Sequence, residues 1–223
     1  MTPDVSQLLA DITSALRPPP LSLTNASHGS DVFEAYVFTL IIAAARSEGA
    51  TITYENVSGS SPSQLYFRTS PGHIYSTRHP YSHAVIDFGI QAPLEAHVGI
   101  LVAGKSQVLH ECDVAVLDRD EARMCRRDRT EPRSSTLEIS VEAKFYSTTL
   151  GLDLARSFIG LISDLSATYP YFVANTTSTS VIRLLNRRRD RHWFDEVLSG
   201  ASSAELLHGF FANAFHRYKA KIA

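Results

Sequence analysis

The fold is decided by residues 137–145, LEISVEAKF, in which apolar and polar side chains alternate up to a carboxylate and an ammonium. Successive side chains of a β-strand point to opposite faces, so Ile139 and Val141 face a core while Glu142 and Lys144 share the other face. Burying charged groups is costly unless they are paired or bind a metal. The stretch therefore predicts a strand that packs into a core and also carries a chemical site.

A second polar interruption lies upstream, at residues 110–117, HECDVAVL. Regular alternation places Glu111 and Asp113 on one face of this predicted strand. Two neighbouring strands that present Asp113, Glu142 and Lys144 toward one point would hold a divalent metal beside a cation. The hard carboxylate oxygens favour Mg²⁺ or Mn²⁺. Such a site indicates phosphodiester hydrolysis, because the metal neutralises charge at phosphorus and activates water.

Hydrophobic periodicity extends the pattern in both directions and predicts an α/β chain. A helix is predicted over residues 32–47, capped by Ser30 or Asp31, with Glu34 in its first turn. Residues 118–135 are rich in arginine and acidic side chains and are predicted to form a solvated loop. The other predicted helices cover residues 3–16, 150–167, 180–186 and 202–219. The predicted strands cover residues 51–57, 64–69, 84–89, 97–103, 107–117, 136–145 and 171–175.

Length and composition predict a single globular domain. The chain has 223 residues, of which 44% are hydrophobic, and a net charge of −2. We expect one domain over residues 1–223, in which a docking helix and proline-rich linker (1–20) precede the core (31–175) and C-terminal helices (176–223). The sequence contains no apolar segment long enough to span a membrane and no basic region followed by an apolar run at its start. We therefore expect a cytoplasmic protein.

Two motifs for other functions do not fit. Residues 99–106, GILVAGKS, match the formal phosphate-loop pattern, but strand-forming residues fill the loop and another strand follows. The chain has two cysteines and nine histidines. The cysteines form no cluster and the histidines lack a metal-binding spacing, so no zinc site is expected.

The order of these features resembles the PD-(D/E)xK phosphodiesterase superfamily, which includes restriction endonucleases. The resemblance covers residues 31–175: a helix with a glutamate, a strand with an acidic residue, a strand with Glu-x-Lys and a following helix. It implies a restriction-endonuclease-like α/β fold with a mixed central sheet flanked by helices. Cys112 stands where the motif has a proline. The site residues that the resemblance implies are the metal ligands Asp113, Glu142, Glu34 and the Ala143 carbonyl, and the catalytic lysine Lys144.

Each assignment also has an ordinary structural explanation. Asp113, Glu142 and Lys144 would form a salt bridge in a half-exposed strand. Glu34 in the first turn of a helix would stabilise the helix dipole. Glu111 either binds a second metal or has an accessory role at the surface.

Clustered arginines would have to supply the affinity for nucleic acid, because the net charge is slightly negative. Arg126 and Arg127 lie in the predicted loop beside the site. Arg156 lies on the following helix, where the resemblance implies a phosphate contact. All three are otherwise ordinary solvated side chains. The remaining arginines of the two candidate patches are Arg123, Arg129 and Arg133, and Arg183, Arg187, Arg188, Arg189 and Arg191.

Together these features predict a Mg²⁺- or Mn²⁺-dependent endonuclease that acts on DNA. A two-fold dimer or a partner protein would complete a binding groove that the low charge leaves incomplete. Two alternatives stay open. One is a catalytically silent module that keeps the nuclease fold and binds or regulates within a larger complex. The other is an RNase or a nuclease of bacterial defence.

Overall fold

Seven strands of the described residues form one mixed sheet and lie side by side in sequence order. The computed structural model describes residues 5–17, 19–187 and 192–221. The strands are β1 Thr51–Asn56, β2 Ser82–Asp87, β3 Leu94–Ala103, β4 Leu109–Asp118, β5 Leu137–Lys144, β6 Tyr169–Ala174 and β7 Trp193–Phe194. Neighbouring strands from β1 to β5 are antiparallel. Strand β6 is parallel to β5, and β7 is parallel to β6. The sheet is therefore a five-stranded meander extended by two parallel strands.

Helices in the described part of the chain cover both faces of this sheet. They are α1 Val5–Leu16, α2 Gly29–Ser47, α3 Arg119–Asp128, α4 Leu152–Asp164, α5 Thr179–Leu185 and α6 Ser202–Lys219. Tyr171 and Val173 of β6 pack into the core under α1, α2 and α6, whereas Phe172 and Ala174 pack with α4 and α5. On that second face, Ala122 of α3 is buried against β4. The architecture is an α/β fold in three layers, with the mixed sheet in the middle.

Helix α2 fixes the position of one end of the sheet. Its side chains are mostly apolar and buried, and α1 and α6 pack against it. A Cβ on Gly29 would collide with the ring of Phe145, directly after β5, so glycine allows the helix to begin in contact with that ring. The first turns of α2, which include Glu34, are thereby held near Glu142 and Lys144.

The start of α2 differs from the prediction. The helix begins at Gly29 and its N-cap is His28, whose side chain makes no capping hydrogen bond. The predicted cap by Ser30 or Asp31 is therefore wrong. Asp31 is the acidic residue of the first turn, and Glu34 lies one turn further along. The helix thus begins at Gly29, which lies against Phe145 directly after β5. This start comes before Ser30 and Asp31, whose side chains favour capping.

The prediction of a solvated loop over residues 118–135 is also wrong, because this segment contains α3. The Asp118 carboxylate caps the helix by accepting a hydrogen bond from the Glu121 N–H at 2.9 Å. Ala122 and Cys125 of α3 are buried on the side of the helix that packs into the core. The prediction rested on the high charge of this segment and overlooked that its few buried residues share one helical face.

Two further differences concern the edges of the sheet. Residues 64–69 do not form a strand, and Leu65 makes an isolated bridge to Leu21. The short strand β7 was not predicted. Of the C-terminal arginine patch, Arg188, Arg189 and Arg191 lie outside the described residues.

Within the described residues, none of the helices combines the length and the apolar character needed to cross a bilayer.

Candidate active site

The structure brings Asp113 of β4 together with Glu142 and Lys144 of β5. The Ala143 N–H donates a hydrogen bond to Asp113 Oδ2 at 2.7 Å, and Lys144 Nζ lies 3.5 Å from the same oxygen. Lys144 Nζ also lies 2.7 Å from Glu142 Oε1. Asp113 is only 5% exposed. The salt bridges of the alternative explanation are therefore present, with Glu142 and Lys144 partly exposed and Asp113 buried.

At Asp113 the regular alternation of β4 is interrupted, so that side chains before and after it pack into different cores. Cys112 packs with Ala115 in the core under α3, whereas Val114 packs in the core under α2. The paired strand β3 has Gly99 at the same level, with φ of +63°. Glycine adopts this left-handed conformation without the steric cost that a Cβ brings. The regular alternation assumed from the sequence therefore ends at Asp113.

Glu34 reaches the same group of charges from helix α2. Its electrostatic neighbours are Asp113, Asp31, Glu111 and Lys144. Burial, reinforced by the three carboxylates, raises the pKa of Glu34 to about 9. The helix-dipole role belongs to Asp31, in the first turn. Glu34 is instead a member of an acidic cluster.

Asp113 and Glu111 are also held in an environment that is unfavourable for negative charge. Burial and the charge of Glu142 raise the pKa of Asp113 to about 7, although Lys144 and the Ala143 N–H oppose the shift. Burial and Glu142 also raise the pKa of Glu111. We call these groups the acidic cluster; within the described residues its single ammonium, Lys144, faces four carboxylates: Glu34, Glu111, Asp113 and Glu142.

The chemistry of the acidic cluster fits a hard divalent cation. Carboxylate and carbonyl oxygens are the preferred ligands of Mg²⁺ and Mn²⁺, and an ion would supply the missing positive charge. The oxygens do not form a ready ligand set, because the Lys144 ammonium lies between Asp113 and Glu142. Three ligand atoms within 4.8 Å of one another do occur in the described chain, but on β2 and β3. An ion would therefore bind to the acidic cluster only after Lys144 shifts.

Asn175 is a buried polar residue that the sequence analysis missed. Its backbone N–H donates to the Lys144 carbonyl at 3.2 Å. Its side-chain amide pairs with the backbone of Tyr146, accepting from the N–H at 2.7 Å and donating to the carbonyl at 2.9 Å. Asn175 thus fixes the backbone directly after Lys144. A polar residue at the end of a parallel strand was the available signal.

The arginines predicted to contact nucleic acid lie in three different environments. Arg126 is 11% exposed and makes a two-point contact with the buried carboxylate of Glu95. Its position on α3 therefore commits it to the protein interior and not to a phosphate. Arg127 is exposed and pairs with Asp128. Arg156 is exposed on α4.

A second buried cluster, which the sequence did not predict, lies beneath α3. It consists of His83 on β2 with Glu95 and His97 on β3. The two histidines are 14 positions apart in the sequence, and only the pairing of β2 with β3 brings them together.

Comparisons of the chain with protein-family models, curated proteins and solved structures found no match.

Proposed function

We propose that this chain is a metal-dependent nuclease that hydrolyses phosphodiester bonds, with DNA as its substrate. The observation that carries the proposal is the acidic cluster, in which the carboxylates of Asp113, Glu142 and Glu34 outnumber the one ammonium near them, that of Lys144. Perturbed carboxylates that share one site are typical of catalytic or metal centres. The similarity to the PD-(D/E)xK superfamily in the order of helix, acidic strand, Glu-x-Lys strand and helix supports the same proposal.

The carboxylates of Asp113, Glu142 and Glu34, together with the Ala143 carbonyl, would hold Mg²⁺ or Mn²⁺, and Glu111 would support a second ion. A bound divalent ion supplies charge neutralisation at the scissile phosphate. Neighbouring Asp113 and Glu142 raise the pKa of Lys144 despite its burial, so its amine stays protonated. Beside the bound ion, Lys144 would orient water or stabilise the oxygen that leaves phosphorus.

The direct test is cleavage of linear duplex DNA, single-stranded DNA and RNA with Mg²⁺, Mn²⁺ or EDTA. We expect metal-dependent cleavage that Asp113→Asn and Glu142→Gln each reduce by about 100-fold or more, because each change removes a charged ligand. Glu205→Gln is the matched control, because Glu205 is exposed on α6. Wild-type activity in both variants would contradict the proposal.

A catalytically silent binding module is the second candidate. The observation in its favour is that Lys144 already pairs with Glu142 and Asp113, which a permanent structural salt bridge would also do. Nucleic-acid binding without cleavage, and without Mn²⁺ binding by calorimetry, would favour this module. Cleavage restricted to RNA would keep the metal chemistry and change the substrate.

A further inference from the structure

The second buried cluster is built from a row of side chains across neighbouring strands. Glu55 on β1 pairs with His83 on β2, and His97 on β3 lies one position beyond the pair Ala84–Ala96. Glu95 lies two residues from His97, on the same face of β3. His83, Glu95 and His97 are 3%, 0% and 3% exposed. Three potential metal ligands thus meet inside the protein, under α3.

The three candidate ligand atoms lie within 4.8 Å of one another, and two of the distances between them are close to those between the ligands of a tetrahedral metal. His97 Nε2 lies 3.0 Å and His83 Nε2 lies 3.5 Å from the same oxygen, Glu95 Oε2. In a tetrahedral zinc site with bonds of about 2.0–2.1 Å, two ligand atoms lie about 3.3–3.4 Å apart. The imidazole rings are stacked with centroids 4.7 Å apart and planes 19° apart.

A separate observation concerns His83 Nε2, whose contacts within the cluster are long. His83 Nε2 is buried and makes no hydrogen bond within the described residues. Its nearest carboxylate oxygens, on Glu95 and Glu55, are 3.5 and 3.7 Å away. These distances are too long for a good hydrogen bond. His83 Nε2 thus has ion-pair contacts to two carboxylates but no short hydrogen bond, and a metal held between these groups would give it a direct bond.

We propose that His83, Glu95 and His97 bind Zn²⁺. Two imidazole nitrogens and one carboxylate oxygen suit zinc better than Mg²⁺, which prefers oxygen ligands alone. Glu55 is the carboxylate placed to complete the coordination, 3.7 Å from His83 Nε2. The ion would join β2 to β3 beneath α3, and its burial makes it a structural site. The site does not depend on the proposed nuclease activity.

Arginines from α3 already pair with both carboxylates, so the metal must share them. Arg126 donates to both oxygens of Glu95, at 2.7 and 2.8 Å, and Arg119 donates to Glu55 at 2.6 Å. A carboxylate oxygen has two lone pairs, so Arg126 leaves one on Oε2 for the metal. The competing explanation is a salt network that holds α3 without any ion.

The test is the zinc content of the full chain, purified without a polyhistidine tag. We expect one Zn²⁺ per chain by elemental analysis after dialysis, and loss of that zinc in His83→Gln and His97→Gln. His110→Gln is the matched control, because His110 pairs with Asp164 away from this cluster. Asp113→Asn is a second control and should keep the zinc while losing cleavage. Zinc absent from the wild-type chain, or retained in both histidine variants, would overturn the proposal.

A second measurement protects the test against variants that do not fold. Co²⁺ added to the wild-type chain should give the strong visible absorption of a tetrahedral ion, and an excess of Zn²⁺ should abolish that absorption. Excess Mg²⁺ should leave the absorption unchanged. Weak absorption typical of octahedral Co²⁺ would contradict the proposal without any variant.

Discussion

The acidic cluster and the histidine cluster are both buried in the same sheet, but they lack different partners. In the acidic cluster the carboxylates exceed the cations, and the pKa values of Glu34 and Asp113 rise to about 9 and about 7. In the histidine cluster, burial alone would raise the pKa of Glu95. Arg126 and the two histidines nevertheless hold that pKa well below its usual range. There the group with only long contacts is an imidazole nitrogen, on His83, which lies 3.5 Å from Glu95 and 3.7 Å from Glu55.

This difference indicates which ion each cluster suits. Unpaired oxygens attract hard cations such as Mg²⁺, whereas imidazole nitrogen is a ligand for zinc. Burial alone does not separate the two clusters, because Asp113 and Glu95 are both buried. The balance of charge around each carboxylate does separate them. The variants Arg126→Ala, Lys144→Ala and Glu34→Gln each change that balance in one of the two clusters.

The largest effect is expected from removing the arginine that compensates Glu95. Arg126→Ala should lower the free energy of unfolding by about 3–5 kcal/mol, because it leaves a buried carboxylate without its partner. Arg127→Ala is the control on the next residue, where the side chain is 73% exposed. That change should leave the unfolding midpoint almost unchanged. Equal midpoints for the two variants in urea unfolding would contradict this account of Glu95.

In the acidic cluster, the ammonium should act in opposite ways on metal binding and on catalysis. Lys144→Ala removes the cation that lies between Asp113 and Glu142. We expect tighter Mn²⁺ binding by calorimetry, because the ion no longer competes with the ammonium. Cleavage should nevertheless fall by about 100-fold, which corresponds to about 2.7 kcal/mol in the barrier. Weaker Mn²⁺ binding in this variant would mean that Lys144 positions the ligands and does not compete with the ion.

The contact between α2 and the end of β5 should tolerate no extra methyl group. Gly29→Ala places a Cβ against the ring of Phe145 and should cost about 1–3 kcal/mol of stability. Phe145→Leu in the same chain should recover part of that loss. Gly160→Ala is the control within α4, where nothing lies near the added Cβ. That change should stabilise the protein by about 0.5–1 kcal/mol, as measured by thermal unfolding.

The sequence predicted the elements whose signal is local. Alternation in LEISVEAKF identified β5 and placed Glu142 and Lys144 on one face, and a long apolar segment identified α2. Helix α3 was missed because the high charge of its segment was taken as the sign of a loop, although its buried residues share one helical face and Asp118 provides an N-cap.

The parts of the two clusters that depend on strand pairing were less accessible to sequence analysis. Asp113 and Glu142 were recognised because each lies in a strand that is otherwise apolar. His83 and His97 gave no such signal, because the register of β2 against β3 brings them together and no motif spacing records that register. The change of core at Asp113 also depends on Gly99 in the neighbouring strand. Single-strand alternation cannot show it.

The smallest effect, and the most specific one, concerns the pH dependence of stability through Glu34. Its pKa is 4.5 in the unfolded chain and about 9 in the folded protein. The folded state therefore takes up a proton between these values, so this group favours the folded protein at low pH and costs stability as the pH rises toward 9. Glu34→Gln removes that cost. Without divalent metal at pH 8, we expect it to raise Tm by about 2–4 °C, the shift that ~1 kcal/mol produces in a domain of this size.

The gain from Glu34→Gln should disappear near pH 4, where the carboxyl is protonated in both states. Glu48→Gln, directly after α2, is the control, and it should lower Tm instead, because Lys219 holds the pKa of Glu48 below its usual value. Mn²⁺ should then raise the Tm of the wild-type protein more than that of Glu34→Gln, since a ligand that binds only the folded state stabilises it. A Tm gain for Glu34→Gln that is the same at pH 4 and pH 8 would show that helix propensity, and not the charge of the acidic cluster, is responsible.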